Sequence, residues 1–347
     1  MKNKNQSGFF DGQNRMNRLI VLKDPLIAIG ETIDFESFRT ILEKATVQKP
    51  TEKGGRPPFD KVMLFKALVL QKLYGLSDEQ LEYQITDRLS FMRFLDLTLA
   101  DKVPDQKTFW FFRDALTKTG VIEEAFVMFR DKLRLNGYMV QEGKIVDASI
   151  VKAPIQRNSR EENEKIKNGE TPEEWSDNKK RQKDVDANWT RKNGKNYYGY
   201  KNHIKIDAKS KLIDEFEVTP ASVHDSQVLE ELIDDTDSGQ PMWADSAYDS
   251  KEIRKALRKH KMGCRIHKKG NRHVTLTKKQ REANTFKSRT RVRVEHIFAS
   301  IRNRVNGLQV RCIGFVRSTA DITMQNLVYN MARIVYIKKF EEIRLPI

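Results

Sequence analysis

The chain has 347 residues, with 64 Lys or Arg against 48 Asp or Glu, and therefore a formal net charge of +16. This length predicts two domains, and this charge predicts a polyanionic partner, either nucleic acid or an anionic membrane surface. The composition argues against a membrane span, a signal peptide, a disulfide framework and a zinc site, because the apolar runs are short and only two distant cysteines occur. We expect a soluble protein of a reducing compartment.

The N-terminal third of the chain is predicted to be helical. A basic tail over residues 1–30 precedes a helical domain over residues 31–139. From Val62 onward, apolar side chains recur every three or four residues, which predicts one apolar stripe on a helix that ends at Gly75. Ser77 begins the next helix with a capping-box pattern. This helix pair predicts either a DNA-binding helix-turn-helix or a structural or dimerising bundle.

From residue 140 the pattern changes to short β-branched strands and helices, which predicts an α/β domain over residues 140–340. The run GKIVDASIV indicates a buried strand, and residues 198–219 indicate a hairpin. Between them, residues 157–195 hold 11 basic and 9 acidic side chains, which predicts an exposed loop or insertion. Further helices are predicted over residues 226–234, 250–260, 285–305 and 320–337, with a strand over residues 241–245.

Three acids stand out by their positions. Asp147 lies inside the apolar strand IVDASIV, where a carboxylate is costly unless it is paired or binds a cation. Asp245 ends the strand MWAD, and α/β sheets gather ligands and catalytic groups at the carboxyl ends of strands. Glu295 lies in the segment from Lys268 to Arg304, which holds 12 basic and only two acidic residues. Acids on the first strand, the fourth strand and a late helix predict a ribonuclease-H-like site that cuts nucleic acid.

The helix that carries Glu295 places two arginines beside it. At about 100° per residue, Arg291 lies roughly 40° from Glu295, and Arg302 lies about 20° away on the other side. A carboxylate between two guanidinium groups is suited to holding a divalent metal while the arginines bind phosphates. The alternative is an ordinary salt bridge between Arg291 and Glu295, which are four residues apart.

The sequence resembles the DDE transposases of bacterial insertion sequences, and it is most similar to the insertion-sequence-five (IS-five) group. The stretches that carry the resemblance are GRPPF from Gly55, IVDASIVKAP, NYYGYKNHIKID, TPASVHDS, WADSAYDS and RTRVRVEHIFASIRNRV. The wider class has a motif Tyr-x2-Arg-x3-Glu-x6-Lys, in which Arg291 and Glu295 match and Arg302 keeps the lysine's charge. Ser288 replaces the tyrosine, which argues against an aromatic role there and leaves the acids unaffected.

The resemblance implies an α/β ribonuclease-H-like (DDE) catalytic domain with a central mixed sheet, preceded by an all-α N-terminal domain that binds DNA ends or dimerises. It implies that Asp147, Asp245 and Glu295 hold two Mg²⁺ ions, with Mn²⁺ as a substitute and Asp147 as the bridging ligand. The expected reaction is metal-dependent cleavage at the ends of the insertion sequence, followed by transesterification into target DNA.

The expected partner is DNA, both the terminal inverted repeats and the target. We expect a homodimer to bind this DNA in the synaptic complex, and we expect no membrane partner. The DNA-binding residues predicted are Arg291, Arg302, Arg56, Lys201, Arg293 and His224. The resemblance also implies a cytoplasmic, nucleoid-associated protein of a bacterium. Two other functions stay open, a non-catalytic DNA-binding regulator and a stand-alone ribonuclease-H-like nuclease, although a regulator leaves a buried Asp147 unexplained.

Overall fold

The computed structural model describes residues 10–45, 57–270, 275–304 and 308–344. The chain divides into two compact units. The helical unit combines residues 1–125 with residues 334–347, and the sheet unit covers residues 126–333. Arg56, which we predict to bind DNA, lies outside the described residues.

The helical unit contains the helix pair that the sequence predicts. Its helices are α1 (Asp11–Val21), α2 (Pro25–Thr32), α3 (Arg39–Leu42), α4 (Lys61–Tyr74), α5 (Asp78–Asp87), α6 (Leu89–Phe94) and α7 (Gln106–Thr119), and α8 (Val121–Leu135) begins in it. Gly75 ends α4 in the left-handed conformation at φ +63°, and Ser77 and Gln80 form the expected capping box on α5. The prediction of one apolar stripe is wrong, because α4 buries most of its circumference between Val62 and Gln71.

The sheet unit is built on one mixed sheet. Its strands are β1 (Lys144–Lys152), β2 (Asn188–Lys192), β3 (Lys195–Asp207), β4 (Ile213–Pro220), β5 (Pro241–Trp243) and β6 (Gly263–Cys264). β1 pairs antiparallel with β3 and parallel with β5, which pairs parallel with β6, while β2 and β4 both pair antiparallel with β3. This sheet and the helices that precede it confirm the predicted fold class.

Apolar side chains are buried on both faces of this sheet, and the sheet unit also contains helices. The helices are α9 (Arg160–Lys167), α10 (Asp177–Gln182), α11 (Lys251–Lys259), α12 (Lys278–Arg291) and α13 (Arg293–Arg304), and α14 (Phe315–Arg344) contributes its residues up to Arg333. Alternate residues of β1 point to opposite faces: Val146 packs with Met242 and Leu257, while Val151 packs with Tyr200 and Ile322.

The charged segment over residues 157–195 is folded, so of the two predicted alternatives, a loop or an insertion, the loop is wrong. It contains α9, α10 and β2, and Trp175 in it is only 3% exposed. The indole Nε1 of Trp175 donates a hydrogen bond to Glu162 at 2.6 Å. The buried carboxylate of Asp184 accepts hydrogen bonds from the Tyr200 hydroxyl at 2.8 Å and from the Gly314 amide at 3.2 Å. Individual buried polar contacts therefore hold a segment that has almost no aliphatic residues.

Two predicted helices differ from the structure. A 3-10 turn over Asp225–Gln227 takes the place of a helix over residues 226–234. The helix predicted over residues 285–305 is two helices, because α12 ends at Arg291 and α13 begins at Arg293. Within the described part of the chain, no helix combines the length and the apolar character that a membrane span requires.

Candidate active site

Strand pairing brings Asp147 and Asp245 to the same edge of the sheet. Ile145 of β1 lies beside Trp243 of the parallel strand β5, and each acid follows two residues later. Asp147 follows the part of β1 that pairs with β5, and Asp245 lies just past the end of β5. One oxygen of each carboxylate accepts a backbone hydrogen bond, from Ala148 N at 2.8 Å and from Ala247 N at 2.7 Å. The backbone therefore fixes the orientation of both acids.

Arg291 joins the third acid to this pair. Its Nη1 atom lies 3.1 Å from Asp147 Oδ2, and its Nη2 atom lies 2.6 Å from Glu295 Oε1. The break between α12 and α13 separates Arg291 from Glu295, yet the contact expected from their four-residue spacing is present. Arg291 Nε is buried and has no partner among the described residues. The guanidinium group thus lies between two of the predicted acids.

Burial controls the charge state of Asp147. Burial raises the pKa of Asp147 to about 6, and the negative charge of Asp245 adds to the rise. The amide of Ala148 and the positive charges of Arg291 and Lys192 act in the opposite direction but do not restore the ordinary pKa. A carboxylate in this position gains free energy from any nearby cation, because its own burial has removed part of its hydration.

The donor set of these acids suits a divalent cation. Asp147, Asp245 and Glu295 offer carboxylate oxygens, the ligands that Mg²⁺ and Mn²⁺ prefer. The ligand atoms of these three acids do not all lie within 4.8 Å of one another. Among the described residues, a different set of acids meets that spacing. Arg291 instead supplies the positive charge between Asp147 and Glu295. The guanidinium therefore stands where a cation is electrostatically favoured.

The set that does meet this spacing is Asp214, Asp234 and Asp237. Three cations already neutralise it: Lys144 lies 2.7 Å from Asp214, Lys205 lies 2.7 Å from Asp237, and Arg134 lies 2.7 Å from Asp234. Burial alone would raise the pKa of Asp214, but the charges of Lys144, Lys205 and Arg134 outweigh it and lower that pKa. We interpret this cluster as a buried ion-pair network that joins the strands and loops of the sheet unit.

Two further polar side chains lie near the acids. Tyr248 is 1% exposed, and its hydroxyl has no hydrogen-bond partner among the described residues. Burial raises the pKa of Tyr248 well above its ordinary value, and the charges of Asp225, Asp147 and Asp245 act in the same direction. His267 lies beside this edge because its backbone amide donates to Ala244 O at 3.2 Å. No sequence signal indicates His267, because its place at this edge depends on backbone pairing with a residue far from it in the chain.

The other residues predicted to bind DNA lie in different surroundings. Arg302 is exposed on α13 and lines a cavity beyond Asp147. Lys201 Nζ donates to Asp225 at 2.7 Å and to Val223 O at 2.6 Å, and Arg293 Nη1 donates to Ala208 O at 2.7 Å. His224 caps the 3-10 turn that follows it. DNA contact by these four residues stays a prediction.

Comparison with known families identifies the sheet unit. Residues 139–331, more than half of the chain, match the family described as "Transposase DDE domain". The chain belongs to the DDE transposase family. Residues 14–115 of this transposase match a second family, described as "Transposase domain (DUF772)". The matches confirm an insertion-sequence DDE transposase with an N-terminal helical part and a C-terminal DDE part, and hence an enzyme that acts in DNA transposition.

One solved structure is similar in fold to this transposase. It is a piggyBac transposase in a synaptic complex with hairpin DNA, 12% identical, with a TM-score of 0.48. The similarity covers 92% of this chain and 76% of that chain.

Proposed function

We propose that this transposase cuts DNA at the ends of its insertion sequence and joins them to target DNA with Asp147, Asp245 and Glu295 as its metal-binding carboxylates. The observation that carries the proposal is the double ion pair of Arg291, which places a cation between Asp147 and Glu295 beside Asp245. DDE transposases use divalent metals, and we propose Mg²⁺ as the ion here, with Mn²⁺ as a substitute.

The chain's own residues prepare this site in three ways. The amides of Ala148 and Ala247 orient Asp147 and Asp245, so that little side-chain entropy is lost when a ligand arrives. Bound divalent cations would activate a hydroxyl group and stabilise the departing oxygen at the phosphate. Arg291 can form a bidentate contact with a DNA phosphate once its carboxylates are otherwise neutralised. Arg302, exposed on the next helix, offers a second phosphate contact.

The test replaces each acid separately by its amide, giving Asp147→Asn, Asp245→Asn and Glu295→Gln. Glu282→Gln is the matched control, because Glu282 is the other acid of the basic segment and is exposed on α12. We expect each site variant to lose cleavage and strand transfer by roughly 10³-fold with Mg²⁺, while the control keeps both. DNA binding in EDTA should persist in all four, which shows that they are folded.

Full activity of any site variant would show that its acid is not required. The joined products separate the proposed reaction from that of a stand-alone nuclease, which releases cut ends without joining them. The DNA that flanks the coding sequence gives an independent check, since an insertion sequence should carry terminal inverted repeats bracketed by a short direct duplication. Membership of the IS-five group and a homodimer in the synaptic complex stay proposals, and the mass of the complex with DNA ends tests the latter.

A further inference from the structure

Asp245 is bonded to a short 3-10 turn that follows β5. This turn covers Ser246–Tyr248, and we call it the Asp245 turn because Asp245 is its N-cap. The side chain of Asp245 accepts a hydrogen bond from Ala247 N at 2.7 Å, and its carbonyl oxygen accepts one from Tyr248 N at 3.3 Å. A shift of the turn therefore also shifts the carboxylate. The position of Asp245 depends on whatever holds this turn in place.

A second 3-10 turn contacts the Asp245 turn. It covers Asp225–Gln227, and we call it the Asp225 turn. Val223, just before this turn, and Ala247, within the Asp245 turn, pack against the same buried apolar cluster. Tyr248 belongs to that cluster and is 1% exposed. The Asp225 turn is therefore part of the packing that holds Asp245.

Lys201 ties the Asp225 turn to the sheet. Its Nζ atom donates to the Asp225 carboxylate at 2.7 Å and to Val223 O at 2.6 Å, so it binds both a side chain and the backbone of this segment. The side chains of Lys201 and Asp225 are only 13% and 22% exposed, and water screens their charges less than those of a surface pair. β3, which carries Lys201, pairs with β1 on one edge and β4 on the other. The ion pair therefore connects the Asp225 turn to the interior of the sheet.

Electrostatics gives a reason for a cation at this position. The charges of Asp225, Asp147 and Asp245 all act on the hydroxyl group of Tyr248, so three carboxylates surround one buried side chain. Like charges repel one another more strongly where burial has removed water. Lys201 neutralises Asp225 and reduces this repulsion. Loss of Lys201 would leave Asp225 uncompensated and push its turn away from the other acids.

We propose that Lys201 and Asp225 are positioning residues for Asp245. Their ion pair holds the Asp225 turn against the Asp245 turn, and this contact keeps the Asp245 carboxylate oriented for a divalent cation. The proposal rests on the proposed function, which makes Asp245 a metal ligand. Residues that support a metal ligand in this way commonly change the metal affinity by about 10- to 100-fold when they are replaced.

Calorimetric titration with Mn²⁺ in the absence of DNA provides the first test. Lys201→Met keeps most of the side-chain stem and removes the ammonium group, and we expect roughly ten-fold weaker binding of Mn²⁺. Lys209→Met is the matched control, because Lys209 is an exposed lysine that also forms an ion pair, with Glu142 at 2.6 Å. In an Asp245→Asn background, Lys201→Met should cause no further loss, since Lys201 acts through Asp245.

Amide hydrogen exchange in EDTA provides a test without metal. The amide of Ala247 donates to the Asp245 carboxylate, and exchange over residues 246–248 should become faster in Lys201→Met. The amide of Ala148, which donates to a different acid on β1, should exchange as in the wild type. Asp225→Asn keeps the shape of the side chain and removes its charge, so it gives the same test from the other partner.

Two combined measurements identify the pair as the cause. The double variant Lys201→Met/Asp225→Asn should lose no more Mn²⁺ affinity than the more affected single variant, because the two residues act as one pair. The salt dependence of DNA binding in EDTA separates this role from the DNA contact that the sequence predicts for Lys201. We expect the same slope for Lys201→Met and the wild type. A slope lower by about 0.9, the value for one phosphate contact, would overturn the positioning role.

Two further results would overturn the proposal. One is wild-type Mn²⁺ affinity together with wild-type exchange of Ala247 in both Lys201→Met and Asp225→Asn. The other is an equal loss of Mn²⁺ affinity from Lys201→Met with and without Asp245→Asn. Failure of the proposed function is recognised separately, because Asp245→Asn alone would then bind Mn²⁺ like the wild type. In that case the exchange of Ala247 still tests whether the ion pair supports Asp245.

Discussion

Arg291 on α12 donates a hydrogen bond to Asp147 on β1 at 3.1 Å, across 144 residues of sequence. The same guanidinium binds Glu295 at 2.6 Å. An arginine that holds two proposed metal ligands competes with the metal for their charge. In DNA, a phosphate offers that arginine an alternative partner. Metal binding and DNA binding should therefore be coupled through Arg291.

This coupling predicts that Arg291→Gln binds Mn²⁺ more tightly than the wild type in the absence of DNA. We expect an increase of roughly ten-fold, because a partly exposed ion pair is worth about 1 kcal/mol or somewhat more. Calorimetric titration with Mn²⁺ measures it, and Arg289→Gln, an exposed arginine on the same helix, is the control. Weaker Mn²⁺ binding by Arg291→Gln would mean that the guanidinium supports the metal instead of competing with it.

The burial of Asp147 predicts an unusual pH dependence in metal-free protein. Its carboxyl ionises near pH 3.8 in the unfolded chain but only near pH 6 in the folded protein. The unfolded state therefore binds fewer protons in this window, and the free energy of unfolding falls as the pH rises from about 4 to 6, by about 3 kcal/mol.

Asp147→Asn has no carboxyl group to ionise at this position. The free energy of unfolding of Asp147→Asn, compared with that of the wild type, should therefore increase as the pH rises from about 4 to 6. Urea unfolding in EDTA at a series of pH values measures the difference. Asp177→Asn, at an exposed position on α10, should show no comparable trend. A difference between Asp147→Asn and the wild type that does not change from pH 4 to 6 would contradict the burial argument.

His203 predicts the opposite trend. It is fully buried on β3, its Nε2 lies 2.9 Å from Thr219 Oγ1, and burial lowers its pKa from 6.5 to about 4. Below pH 6.5 the unfolded chain takes up a proton that the folded protein does not. The contribution of His203 to the free energy of unfolding is therefore at its full value above pH 6.5. As the pH falls towards 4, this contribution decreases by about 3 kcal/mol.

His203→Gln, which can still pair with Thr219, should lose this dependence. Compared with the wild type, its free energy of unfolding should improve progressively as the pH falls from 6.5 to 4. His224→Gln is the control, because His224 is exposed. The effects of Asp147 and His203 oppose each other in the wild type, so only the differences between variant and wild type report each residue. Parallel pH curves for His203→Gln and the wild type would count against a neutral buried imidazole.

The buried ion-pair network predicts a large loss of stability when one acid is removed. Asp214 is fully buried between Lys144, Lys205 and Arg134. Asp214→Asn leaves those cations partly uncompensated and should lower the free energy of unfolding by about 3–5 kcal/mol. Asp235→Asn, an exposed neighbour of the network, should change it by less than about 0.5 kcal/mol. EDTA should leave the wild-type stability unchanged if cations of the chain, and not a metal, neutralise these acids.

Much of the fold was predictable because its signals are local in the sequence. Asp147 and Asp245 each sit on a short apolar run, and the capping box at Ser77 and the turn at Gly75 are local signals that tertiary contacts leave intact. The prediction of a loop over residues 157–195 was wrong because individual contacts of Trp175 and Asp184 order this segment, and composition does not reveal such contacts. Its turn Asn193-Gly194, between alternating residues, was nevertheless a hairpin signal.

The sequence by itself determined the chemistry of this transposase: which carboxylates lie in apolar surroundings, and where the positive charge is concentrated. Both follow from side-chain types and local periodicity. Only the tertiary structure decided that Arg291 lies between Asp147 and Glu295, and that Tyr197 and Lys192 join Arg302 around one cavity. Those arrangements depend on strand register and on the break between α12 and α13, which are set by packing between residues far apart in the chain.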